Sequence, residues 1–252
     1  MKKIMTLAAM FAAVAVSFSA CTKDNGNQGT GNGNGNENTE PEYEAPITVD
    51  GDFADWQTLG DKAEIAVCPE DALKLGLKEF RAYADEVMLY VYVKFDLDVV
   101  TNRDVPEPEP GVESGNPLAL FFSTSTEKGG YANTWSDSCV EYHCASFIFN
   151  GTEQYENWDD ALYMWTGELH GAGWSWDSAL ESLASTGAGT GDQYEIAIMM
   201  DVLTSVMELD GQILLGAMIQ QGWNNAGALP CASPDPDNNP TGMAPMMVVP
   251  IN

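Results

Sequence analysis

The amino-acid sequence predicts an all-β protein, a jelly-roll-like antiparallel β-sandwich with one or two short helices. Three observations carry this reading. Apolar residues recur at a period of two in segment after segment, most clearly in VMLYVYVKFD (87–96), which is rich in β-branched and aromatic side chains. Clusters of Gly, Asn, Asp and Pro separate these segments. Only two stretches carry helical spacing, too few for an α/β fold.

Taken in order, ITVDG (47–51) predicts a strand and a turn, and EIAVCPE (64–70) a short strand. LKEFRAYADEVMLYVYVKFDLD (77–98) predicts two strands around the turn ADE. RDVPEPEPGVESG (103–115) is rich in Pro and acids and predicts a solvated loop. PLALFFSTS (117–125) and CVEYHCASFIFNG (139–151) are further strands, the second ending at the hairpin signal Asn150-Gly151. ALYMWTGE (161–168) pairs with it. SWDSALESLAS (175–185) has Leu180 and Leu183 at helical spacing and predicts a helix, as does VLTSVMEL (202–209). QYEIAIMMDVL (193–203), GQILLGAMIQQGW (211–223) and APMMVVPIN (244–252) supply the remaining strands.

The chain opens MKKIMTLAAMFAAVAVSFSAC. Two lysines, an apolar run and Ser19-Ala20 before Cys21 form a secretory signal over residues 1–20. A cysteine at that place predicts a lipoprotein lipidated on Cys21, anchored to the outer membrane and exposed at the cell surface. The TKD after Cys21 resembles the charged sorting signal of surface lipoproteins of the Bacteroides type. Residues 21–46 hold the lipidated cysteine and a Gly/Asn-rich tether with too few apolar side chains to offset its chain entropy. Residues 47–252 form the sandwich domain.

The formal net charge is −28. Loss of Lys2 and Lys3 with the signal leaves eight basic residues against 38 acidic ones, a net of −30. Such a field repels nucleic acid and anionic head groups, so membrane contact is expected only through the lipid anchor. Four cysteines lie beyond Cys21: Cys68, Cys139, Cys144 and Cys231. In an oxidising compartment they allow up to two disulfides in three connectivities, with Cys139 and Cys144 facing opposite sides of a straight strand.

ITVDGDFADW (47–56), followed by FRAYADEVMLYVYVKFD (80–96) and later by DQYEIAIMMDVL (192–203), resembles the family 9 carbohydrate-binding modules and related DOMON-like sandwiches. The resemblance implies a β-sandwich and a carbohydrate-binding role. Within the motif, Asp50-Gly51 turns the chain, Asp55 caps or turns the next segment, and Trp56 lays its ring against the sheet.

Seven tryptophans are present, and aromatic rings beside Asn, Asp and Gln are the chemistry of sugar recognition, ring faces against C–H faces and amides to hydroxyls. QQGWNNAG (220–227) concentrates it, which nominates Gln221, Trp223, Asn224 and Asn225. YANTWSDS (131–138) adds Asn133 and Trp135, and GWSW (173–176) adds Trp174 and Trp176. Asp235, Asp237 and Asn239 alternate in SPDPDNNPTG (233–242), as oxygen ligands for calcium do, although the bidentate Glu of an EF-hand loop is missing. There is no GxSxG, HExxH or phosphate loop, and Asp159-Asp160 is one chance pair among 38 acids, so no enzyme is expected. The leading expectation is non-catalytic binding of a neutral carbohydrate. The alternative is a protein-interaction or structural module of a surface complex.

Overall fold

Residues of alternating polarity have one way to satisfy both halves of the pattern: strands whose inward side chains meet a second sheet. The computed structural model shows this arrangement. It describes residues 43–68, 76–96, 116–124, 129–130, 135–136, 139–150, 153–154, 161–165, 176–221, 224–232 and 244–252. In chain order the elements are α1 (Ala54–Leu59), a 3₁₀ turn (Gly60–Lys62), β1 (Glu64–Val67), β2 (Leu77–Ala84), β3 (Met88–Phe95) and β4 (Asn116–Ser123). Short strands β5 (Gly129–Gly130), β6 (Trp135–Ser136) and β7 (Cys139–Val140) precede β8 (Tyr142–Asn150), β9 (Glu153–Gln154), β10 (Leu162–Trp165) and β11 (Trp176–Leu180). Then come β12 (Ser185–Thr190), β13 (Gln193–Met199), α2 (Met200–Thr204), β14 (Gln212–Gln221), β15 (Asn224–Leu229), β16 (Ala244–Pro245) and β17 (Met247–Pro250).

Among the described residues the smaller sheet runs β1-β2-β3-β13-β12. The larger runs β11-β10-β8-β4-β14-β15, with β17 also on β14 and β9 on β8. Both are antiparallel throughout. Their inner faces share one core: Phe80, Val91, Val93, Ile196 and Ile198 on one side meet Leu118, Leu120, Phe122, Ile213 and Leu215 on the other. Each such side chain contributes about 1.5–3 kcal/mol on leaving water.

Each outer face is covered in part by the chain's own connections. On the smaller sheet, Ile47, Trp56, Leu59 and Ala63 pack over Tyr90, Tyr92 and Ala197. Glu195 of β13 ties this cover down. Its carboxylate is fully buried and accepts the Trp56 indole N–H at 3.0 Å on Oε2. Oε1 accepts the N–H groups of Asp50 and Gly51, each at 2.9 Å. Gly51 takes φ 82°, open to glycine, and an added Cβ there would sit 3.0 Å from Thr190 Oγ1. The side chain of Asp50 accepts Asp52 N–H at 2.8 Å, closing an Asx turn, and Asp55 accepts Thr48 N–H at 3.0 Å. The DGDFADW motif is therefore a clasp around a buried carboxylate. Burial raises the Glu195 pKa, and the three donors hold it back.

Two expectations need correction. ITVDG (47–51) is no strand: its N–H groups at Asp50 and Gly51 are spent on Glu195 rather than on a ladder. Of the helix expected over 175–185, the described residues 176–185 form none, since β11 takes 176–180 in pairing with β10 and β12 begins at Ser185. Leu180 reaches the core from β11 and Leu183 from the connection between β11 and β12, and sheet pairing outweighs a two-leucine helical signal without a strong cap. This structure holds no S–S bond among the described cysteines Cys68, Cys144 and Cys231, and with the Cys139 side chain outside the described residues the pairing stays open; Cys144 lies in the apolar core opposite Leu120. Of the helix expected over VLTSVMEL (202–209), only 202–204 are helical, as the end of α2, and 205–209 are turn and irregular chain. Among the described residues no helix is long and apolar enough to cross a membrane.

Candidate functional site

The outer face of the larger sheet carries a row of rings across four strands. Alternation along β4 sends Phe121 outward while Leu120 and Phe122 go to the core. Register then sets His143 of β8 opposite Phe121, and Tyr163 of β10 opposite His143. The His143 and Tyr163 rings are stacked, with centroids 5.2 Å apart and planes at 26°. Phe121 lies 5.7 Å from His143 on the other side and 5.3 Å from Trp135.

Trp135 closes the covered end of this row. It is 2 % exposed, its indole N–H donates to the Pro230 carbonyl at 3.1 Å, and its ring lies on Gly216 of β14. Any Cβ at Gly216 would come within 2.4 Å of that ring. Val140 and Met246 complete the cover. Tyr163 ends the row in the open, at 38 % exposure. Two residues on, Trp165 is half-buried on the same face, and its register partner is Trp176 of β11.

Glu141 stands next to this strip. Its N–H donates to Phe122 O at 3.0 Å and its carbonyl accepts Trp165 N–H at 2.7 Å, which fixes the backbone between β4 and β10. Its carboxylate accepts the Thr124 N–H at 2.9 Å and the Thr124 hydroxyl at 2.7 Å. Rings that expose a face, with a fixed acceptor beside them, suit an uncharged polyhydroxylated surface.

Burial lowers the His143 pKa from 6.5 to about 4, so the imidazole is neutral over the physiological range. The charged form is disfavoured in the folded state. The stability contribution is therefore full above pH 6.5 and is lost as the pH falls toward 4. The loss is on the order of 2–3 kcal/mol. Thermal melts from pH 7 to pH 4 should show a steeper fall for the wild type than for His143→Phe, which keeps the stack and cannot titrate. Parallel curves would exclude His143 as the titrating group.

No family model matches this chain, and no curated protein matches it in sequence.

Of the residues expected to bind ligand, Gln221 and Asn224 are register partners at the end of β14–β15, with Asn225 opposite Gln220. Trp223, Asn133 and Trp174 lie outside the described residues, as do Asp235, Asp237, Asn239 and Cys21. Among the described residues no group of three or more His, Cys, Asp or Glu is placed to hold a metal. Trp135 and the hairpin end do not converge: Gly216 and Gln221 are five positions apart on one strand, about 17 Å. Tyr163, His143 and Glu141 were not among the expected site residues. Their signal lay in two period-two pairs, Glu141-x-His143 and Tyr163-x-Trp165, each of which puts both members on one face.

Proposed function

We propose that this protein is a lipid-anchored surface module that binds a neutral carbohydrate without transforming it. The observation that carries this reading is the exposed Tyr163 ring, held by its stack on His143 with Trp165 on the same face. Two rings at i and i+2 lie about 7 Å apart along a strand and present a continuous apolar strip to the face of a sugar chain. Glu141 offers an acceptor for hydroxyls, and the net charge of −28 disfavours anionic glycans. Trp176, the backbone register partner of Trp165, is a further aromatic candidate. Gln221, Trp223, Asn224 and Asn225 at the β14–β15 end form a second contact region, with Asn133 and Trp174 as further polar and aromatic candidates. Asp235, Asp237 and Asn239 are the proposed calcium ligands.

The test is a glycan-array screen of the purified protein, with calcium and again with EDTA. A glycan bound by the wild type should be bound at least tenfold more weakly by Tyr163→Ala, with the melting temperature within about 3 °C, since that ring is partly exposed. Loss in Trp223→Ala alone would move the site to the hairpin, and loss in EDTA would assign the metal. A blank array would favour the protein-interaction role instead. That role has its own support in Ile65 and Val67 of edge strand β1, which are 47 % and 61 % exposed.

A further inference from the structure

The two sheets meet at a seam, and each side of that seam carries one cysteine. Cys68 follows β1 and donates its N–H to Lys78 O at 2.9 Å, so it stands opposite Lys78 on β2. It packs against the core from the edge of the smaller sheet. Cys231 follows β15 at the edge of the larger sheet and packs, half-buried, against the same core. Leu229, two residues before it, is opposite Ala217 of β14.

Registers place the two at one level. β17 continues the β15 edge along β14, with Met247 opposite Leu215, and β1 and β2 both contact β17. The parallel bridge between Ala84 and Ile251 joins β2 to the end of β17. Counting back along both chains from that bridge sets Phe80 level with Met247, and Lys78 level with Ala217 and Leu229. Cys68 and Cys231 therefore stand within two residues of each other along the seam, both turned toward the core. β2 and β15 are in contact across the seam.

The geometry points to a Cys68–Cys231 disulfide that clips the two sheets together at their shared edge. Cys144 is excluded as the partner of Cys231. It sits on β8, three strands from β15 and so about 14 Å away, against the 4.4–6.8 Å between Cα atoms that a disulfide needs. Cys139 lies on β7 beside Val140, which covers the outer face. The oxidant is a disulfide-bearing exchange reagent. One cysteine thiolate attacks its S–S bond to give a mixed disulfide, and the second thiolate displaces the reagent's sulfur. The protein loses two protons and two electrons, and the reagent leaves as two thiols.

The test uses the full chain equilibrated with oxidised or with reduced glutathione, blocked with iodoacetamide and mapped by mass spectrometry without reduction. The expected map links the Cys68 peptide to the Cys231 peptide after oxidation only. Reduction should lower the wild-type melting temperature by about 10 °C. That shift should vanish in Cys68→Ser and in Cys231→Ser and persist in Cys144→Ala. Alkylation of both Cys68 and Cys231 after oxidation would overturn the proposal, as would a bridge from either to Cys139 or Cys144. The peptide map is read on the wild type, so it decides the matter even if a variant folds poorly.

Discussion

Replacing Glu195 with alanine should cost this protein about 4 kcal/mol, because three donors lose their acceptor at once. The carboxylate is fully buried and takes the Trp56 indole N–H together with the backbone N–H groups of Asp50 and Gly51. Without it, Trp56 has an unsatisfied buried donor and the 47–56 segment has no anchor on β13. Melting temperature should fall by about 10 °C or more. Glu195→Gln should cost roughly half as much, since one carbonyl oxygen remains and the new NH₂ meets a donor. The pH dependence separates the two effects. Burial raises the Glu195 pKa in the folded state. Stability from this group is therefore fully present below the ordinary carboxylate pKa and is lost as the pH rises through the raised value. Glu195→Gln should abolish that slope. A Glu195→Ala protein as stable as wild type would show that the clasp around Trp56 contributes nothing to the fold.

That clasp also shows what was legible in the sequence. Asp50-Gly51 and Trp56 stood out because their chemistry is local: a turn residue, a glycine, a large ring. Those features alone gave Trp56 a structural role, and at 1 % exposure it agrees with the structure. Glu195 lies 139 residues away from Trp56, and nothing in its neighbourhood, QYEIAI, distinguishes a buried acceptor from a surface acid. Only strand register brings it under the motif. The error at residues 175–185 has the same origin. Leu180 faces the core because β11 pairs with β10, a partner that local spacing cannot reveal.

The outer face of the larger sheet was harder still. In a jelly-roll-like sandwich that face is expected to be polar, and an aromatic on it reads as an isolated exposure. Here Tyr163, His143, Phe121 and Trp135 come from four separate segments, and pairing alone aligns them into a row. The row is covered at one end by Trp135, Val140 and Met246 and open at Tyr163. That asymmetry gives the rings different tasks. The covered end holds the fold, while the exposed end has a ring face available to a partner. A tryptophan in a turn-rich segment, such as Trp135, looks the same in either role until its neighbours are known.

The division predicts how Trp135 and Gly216 behave together. Trp135→Ala should cost about 3–5 kcal/mol, because the ring is buried, donates to Pro230 and fills the space over the β14 glycine. Gly216→Ala should cost about 2 kcal/mol for a different reason: its new Cβ meets the indole at 2.4 Å and forces the ring off the sheet. With the ring gone that clash has no partner. The double variant should then be no less stable than Trp135→Ala alone, giving a coupling of about 2 kcal/mol between two residues 81 positions apart in the chain. Denaturant unfolding of the four proteins measures it. Additive costs would mean that Trp135 does not rest on Gly216. For the binding role, the sharper comparison is affinity measured well below the melting temperature of each variant. A ring that only supports the fold leaves affinity unchanged in Trp135→Ala while Tyr163→Ala loses it, whereas equal losses would place the proposed binding site over the covered end of the row.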